Sequence, residues 1–105
     1  MEQLKSHIEA LVFATDQPLT INEIQATLSK IAGVEISKFE IEGHLNDLVR
    51  KYSSDEYAFQ VVQIAEGYQF LSKNEFTATI SEMLKSKLNK RLSTSQRSEE
   101  HTSEL

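Results

Sequence analysis

The chain predicts an α+β fold, a winged helix-turn-helix of three helices, a β-hairpin wing and a C-terminal helix. Three observations carry that prediction. Apolar residues recur at helical spacing in three successive stretches between Leu4 and Tyr52. The period then changes to strand-like alternation from Tyr57 to Ile64. Glu66-Gly67 follows, where a tight hairpin can reverse the chain.

The first helix is expected from about Gln3 to Thr15. Leu4, Ile8, Leu11 and Val12 form its apolar stripe, and Ala10, Phe13 and Ala14 widen it. So wide a face suits either a central core helix or one shared with a partner subunit. Asp16-Gln17-Pro18 ends it, because a residue preceding proline is pushed out of the helical region. Thr20-Ile21-Asn22-Glu23 reads as a capping box opening the second helix, with Ile24, Leu28 and Ile31 as its stripe and Gly33 as a left-handed C-cap. A second box, Ser37-Lys38-Phe39-Glu40, opens the third helix, where Ile41, Leu45, Leu48, Val49 and Tyr52 give the strongest helical pattern in the chain.

Past the polar turn Ser53-Ser54-Asp55-Glu56, Tyr57, Phe59 and Val61 alternate with Ala58, Gln60 and Val62. Tyr68-Gln69-Phe70-Leu71 supplies the returning strand, and Gly67 the backbone freedom for the turn. If one of Phe70 and Leu71 packs inward, the other points outward, unless the wing folds back and buries both. A last helix is expected from about Glu75 to Leu88, with Phe76, Ile80, Met83, Leu84 and Leu88 on one side.

Composition bounds the function. A chain of 105 residues supports one small domain, and 39% hydrophobic with 26% charged residues is ordinary globular usage. No cysteine is present, so neither a disulfide framework nor thiolate chemistry is available. Neither a secretory signal nor an apolar run of bilayer-spanning length is visible, so the expected setting is cytoplasmic, with no membrane partner. His7, His44 and His101 are scattered, without a paired spacing that would make a metal site. The acidic pairs Glu40/Glu42 and Asp55/Glu56 read as a solvated helix face and a loop. With no glycine-rich phosphate loop either, neither catalysis nor a cofactor is expected.

Winged helices commonly read DNA with their third helix, so that function needs weighing. The net charge of −5 offers no global attraction for phosphate. The third helix sets Lys38, Arg50 and Lys51 against Glu40, Glu42 and Asp47, with Asn46 its one amide, and Glu66 occupies the wing tip. A basic cluster does exist at Lys85, Lys87, Lys90 and Arg91. It could touch DNA nonspecifically or meet an acidic partner, though it also suits the C-terminal end of a helix. A winged-helix DNA-binding transcriptional regulator is therefore the alternative reading rather than the first.

The run Leu4-Lys5-Ser6-His7-Ile8-Glu9-Ala10-Leu11-Val12-Phe13-Ala14, with Pro18-Leu19-Thr20 and Glu23-Ile24 behind it, resembles the start of the bacterial segregation and condensation protein B (ScpB) family. The wing residues Glu66-Gly67-Tyr68-Gln69-Phe70, Lys73 ahead of a helix, and Arg91-Leu92-Ser93 extend the resemblance to about Ser95. It implies a non-enzymatic accessory subunit of the SMC-kleisin (condensin-like) complex, acting in chromosome condensation and segregation. Such a protein would be nucleoid-associated, form a homodimer, and bind the kleisin ScpA and through it SMC. DNA contact would be indirect or nonspecific. Family members carry two winged-helix domains in tandem. Here residues 1–92 would form the first domain and 93–105 a truncated junction and tail, since Arg97 to Leu105 match the translation of a sequencing-library adapter. The expected partner or dimer contacts are Leu4, Ile8, Phe13, Tyr57, Tyr68 and Phe70, on the first helix and the wing.

Overall fold

The computed structural model describes residues 1–94 and divides into two compact units, the first spanning Met1–Lys73 and the second starting at Asn74. The first runs α1 (Leu4–Ala14), β1 (Leu19–Thr20), α2 (Ile21–Ala32), α3 (Lys38–Lys51), β2 (Phe59–Ile64) and β3 (Gly67–Ser72). The second holds a 3₁₀ turn (Asn74–Phe76) and α4 (Thr77–Thr94). This is the mixed helix-and-sheet order of a winged helix. The sequence expected α4 to begin near Glu75 and stop at Leu88. Instead the 3₁₀ turn takes its first residues, and the helix continues past the basic cluster.

Apolar periodicity becomes a core in the first unit. Leu4, Ile8 and Val12 of α1 meet Ile24 and Leu28 of α2 and Ile41, Leu45 and Leu48 of α3, with Val61 and Tyr68 entering from the sheet. Seven of these side chains are almost completely shielded from solvent, so each contributes close to the full burial value of about 1.5–3 kcal/mol. Ile31 departs from expectation. It lies on the last turn of α2 and is 66% exposed, because the stripe is satisfied by Ile24 and Leu28 and the chain turns away at Gly33.

Capping fixes where the helices start. Thr20 Oγ1 accepts the Glu23 N–H at 3.1 Å, and Glu23 Oε1 accepts the Thr20 N–H at 2.9 Å, so this box is reciprocal. At α3, Ser37 Oγ accepts the Glu40 N–H at 3.3 Å, and no return bond from Glu40 is made. Between these helices Ile36 is buried in the connection. Its N–H donates to Ser29 Oγ at 2.9 Å and its carbonyl accepts from Gln25 Nε2 at 2.7 Å.

The sheet has the order β1-β3-β2 and is antiparallel throughout. β1 is only two residues long, pairing Leu19 with Tyr68 and Thr20 with Gly67, and was not expected from sequence. The hairpin loop is Ala65-Glu66, and the left-handed residue there is Ala65 at φ 54° rather than Gly67. Gly67 has a different reason to be glycine. A Cβ at that position would lie 2.7 Å from Pro18 Cβ and 2.9 Å from the Pro18 carbonyl carbon, so β1 could not approach.

Candidate functional site

The register of the hairpin decides which aromatics are available. Phe59, Val61, Tyr68 and Phe70 share the sheet face toward the helices, because directly paired residues point the same way and alternate residues return to the same side. Val61 and Tyr68 are buried there, while Phe59, at the start of β2, remains 49% exposed. Leu71 takes the outer face and is 40% exposed, so the wing turns Phe70 inward, where it is half-buried, and presents Leu71.

Phe59 and Phe70 meet α1 and the C-terminal end of α3 in an open aromatic cleft of ≈ 350 Å³. Ser6, Glu9, Ala10 and Phe13 of α1 line it, with Tyr52 capping α3. Its rings pack edge to face. Phe13 and Phe70 have centroids 5.6 Å apart at 85°, and Tyr52 and Phe70 are 4.8 Å apart at 74°. Tyr52 also tilts against Tyr57 at 4.7 Å. Phe13 forms one wall yet is 67% exposed.

The polar side of the cleft is internally balanced. The Tyr52 hydroxyl donates to Glu9 Oε2, and Lys51 Nζ lies 3.6 Å from the same carboxylate oxygen. Lys51 also lies within cation–π distance of the Tyr52 and Tyr57 rings, at 5.1 and 5.9 Å. The hydrogen bond to Glu9 holds the Tyr52 hydroxyl above the ordinary tyrosine range, with burial and the Glu9 charge adding to it. Glu9 in turn raises Lys51. Nearby, Asp47 pairs with Arg50 and lies 3.8 Å from Lys5. Two of the three basic residues of α3 are thus committed to carboxylates of this chain.

The six residues expected as contacts separate by environment. Leu4, Ile8 and Tyr68 are 8%, 0% and 3% exposed, so the chain's own core uses them; helical and strand periodicity could not distinguish that core from a partner surface. Phe13 is exposed and packs on Phe70, whereas Tyr57 and Phe70 are half-buried and both pack on Tyr52. Ser6, Glu9, Ala10 and Phe59 were not expected as site residues. The spacing of Ser6, Ala10 and Phe13, on the α1 face away from Leu4 and Ile8, was the available signal. Of the basic cluster, Lys85 and Lys87 are exposed on α4, and Lys90 and Arg91 continue that helix. The adapter-like segment from Arg97 lies outside the described residues.

A second exposed apolar group occurs where α2 hands over to α3. Ile31, Val34 and Phe39 are 66%, 63% and 85% exposed. Among the described residues, no group of three or more histidines and carboxylates could hold a metal, and no helix is long and apolar enough to cross a membrane. Fold and site together define a winged helix whose presented chemistry is aromatic and aliphatic, the kind that meets protein.

Comparison with known proteins gives the same class a family. Residues 6–98 match the family described as segregation and condensation complex subunit ScpB, and the chain belongs to it. It is 29% identical over 92 residues to segregation and condensation protein B of Clostridioides difficile (strain 630), covering 88% of this chain and 49% of that protein. The same-named protein of Clostridium tetani is 28% identical, over 84% of this chain and 43% of its own length. The chain therefore spans about half the length of the curated relatives it matches.

Among solved structures, a conserved hypothetical protein from Chlorobium tepidum is 31% identical with a TM-score of 0.61, over 90% of this chain and 56% of that one. The fold also matches a dimer of the ScpB N-terminal domain complexed with a ScpA peptide. There the TM-score is 0.65 at 23% identity, over 77% of this chain and 87% of that one.

Proposed function

We propose that this chain is the winged-helix part, residues 1–92, of a homodimeric, non-enzymatic accessory subunit that binds a ScpA-type kleisin in the SMC complex for chromosome condensation and segregation. The observation that carries the reading is family membership over residues 6–98, to which the aromatic cleft between α1, α3 and the wing adds a surface suited to protein contact. The name of the matched N-terminal domain dimer, with its ScpA peptide, supports both association partners. The wing and α1 are the proposed contact elements, through Phe13, Tyr57 and Phe70. The core residues Leu4, Ile8 and Tyr68 support them from beneath. A cytoplasmic, nucleoid-associated setting belongs to the same proposal.

Mass in solution tests it directly. Size exclusion with light scattering on residues 1–95 is expected to give a dimer alone and a heavier complex with added ScpA. A monomer that leaves the ScpA elution unchanged would remove both associations from this part of the protein.

A further inference from the structure

Lys73 ends the first unit, directly after β3 and ahead of the last helix. We infer that Lys73 is a positioning residue for the contact surface. It holds the connection from α3 to β2 so that Tyr57 stands against Tyr52 and Phe59 reaches the wall of the cleft. This role rests on the contact reading above, in which Tyr57 meets a partner, and adds what keeps Tyr57 in place.

Residues 53–58 form neither helix nor strand, yet they carry Tyr57 and deliver Phe59 to β2. The backbone groups of such a stretch need partners before its side chains can be held in one place. Half-buried Ser54 gathers them. Its N–H donates to the Lys51 carbonyl at 3.4 Å, and its Oγ accepts the Glu56 N–H at 3.1 Å. Its carbonyl accepts twice, from the Tyr57 N–H at 3.2 Å and from the Lys73 ammonium. The Lys73 N–H donates to the Ala58 carbonyl at 2.9 Å, one residue beyond the last ladder pair, Phe59 with Ser72. Lys73 thus grips the connection at Ser54 and again at Ala58, with Tyr57 between the two grips.

Among the described residues, every other hydrogen bond to this stretch comes from within it or from the last turn of α3. Lys73 is the tie from the far end of β3. Its chemistry suits the task, because an ammonium on a long stem can reach back to a carbonyl and make a charge-assisted bond. Among the described residues Lys73 forms no ion pair, so the Ser54 carbonyl is what its charge serves. From Tyr57 the grip passes on through rings. Tyr57 packs on Tyr52, and Tyr52 packs on Phe70 and lines the cleft.

The dimer dissociation constant of the full chain, measured by sedimentation, tests this role. Lys73→Met keeps a long stem but removes the donor, and should raise that constant about 10-fold with unchanged circular dichroism. Lys73→Arg retains a charged donor and should stay within about threefold of the native chain. Tyr57→Ala should weaken the dimer by itself. Adding Lys73→Met to it should cost less than about twofold more, because the effect of Lys73 runs through the lost ring.

A Lys73→Met loss that persists in full beside Tyr57→Ala overturns the role, as does a Lys73→Arg chain as weak as Lys73→Met. A Lys73→Met chain that loses its circular dichroism overturns it too, since Lys73 would then hold the fold rather than the surface. A dimer weakened by Tyr57→Ala but indifferent to Lys73→Met sinks the role alone and leaves the contact reading intact. A native monomer, or a dimer indifferent to Tyr57→Ala, removes that reading and this role with it.

Discussion

Gly67 is fixed by proximity rather than by dihedral freedom. Its φ is not in the left-handed region, yet a methyl group there would intrude on Pro18 at both Cβ and the carbonyl carbon. Gly67→Ala must push β1 away from β3, and overpacking of this kind costs about 2 kcal/mol. For a unit of this size that lowers Tm by roughly 10 °C in a thermal melt. Ala65 presents the opposite case, a left-handed residue carrying a side chain at φ 54°. Ala65→Gly relieves the steric cost at that position and introduces extra chain entropy. The expected net effect is a gain of about 0.5 kcal/mol in urea unfolding. A loss of stability would mean that the loop conformation is set elsewhere. Tyr52 gives the residue scale its pH dependence. Its folded pKa lies above the unfolded value because a neutral hydroxyl is needed to donate to Glu9. The corresponding stability is fully present below about pH 10, the unfolded tyrosine value, and is lost as pH rises through the folded pKa. Tyr52→Phe should flatten that alkaline decline in denaturation midpoints measured from pH 8 to 12.

At the scale of elements, the two cap sites separate full from partial capping. Thr20 and Glu23 satisfy each other's backbone amides, whereas Ser37 is a one-sided cap with a longer bond. Thr20→Ala should therefore cost about 1–2 kcal/mol and Ser37→Ala about 0.5–1 kcal/mol in chemical denaturation. Equal losses would mean that the reciprocal Glu23 bond adds nothing. Both caps were legible in the sequence, as were three helices, the hairpin and the left-handed C-cap at Gly33 at φ 79°. Each is written in local pattern. What escaped was non-local: β1 is two residues long, too short to show a period, and exists because β3 lies beside it. Ile36 reads as a loop residue until Gln25 and Ser29 satisfy its backbone and allow it inward. The candidate site was half legible for the same reason. An aromatic inventory can be counted from sequence, and helical spacing sets Phe13 on a different face of α1 from Leu4 and Ile8, but which face is core is decided only by the crossing of α1, α3 and the wing.

The whole molecule decides between gripping protein and reading DNA. A winged helix that reads DNA needs cations around its third helix, because phosphate contacts dominate affinity and fix the protein on the duplex. This chain is acidic overall, at −5. Within α3 the bases Arg50 and Lys51 face Asp47 and Glu9, and the opening turn presents Phe39 at 85% exposure where base-reading amides or guanidinium groups would be needed. Detaching those cations to meet phosphate would leave two carboxylates beside the duplex, so the exchange gains little. Lys85 and Lys87 on α4 can still supply a weak, sequence-independent attraction. The expected outcome in fluorescence anisotropy with a 20-base-pair duplex is no binding at 150 mM salt and micromolar protein. Any association at 20 mM salt should be indifferent to sequence and vanish with Lys85→Glu/Lys87→Glu. Binding that persists at 150 mM salt, prefers one sequence and weakens with Arg50→Ala would restore the regulator reading. In that case, the ion pairs around α3 would have to open on contact with DNA.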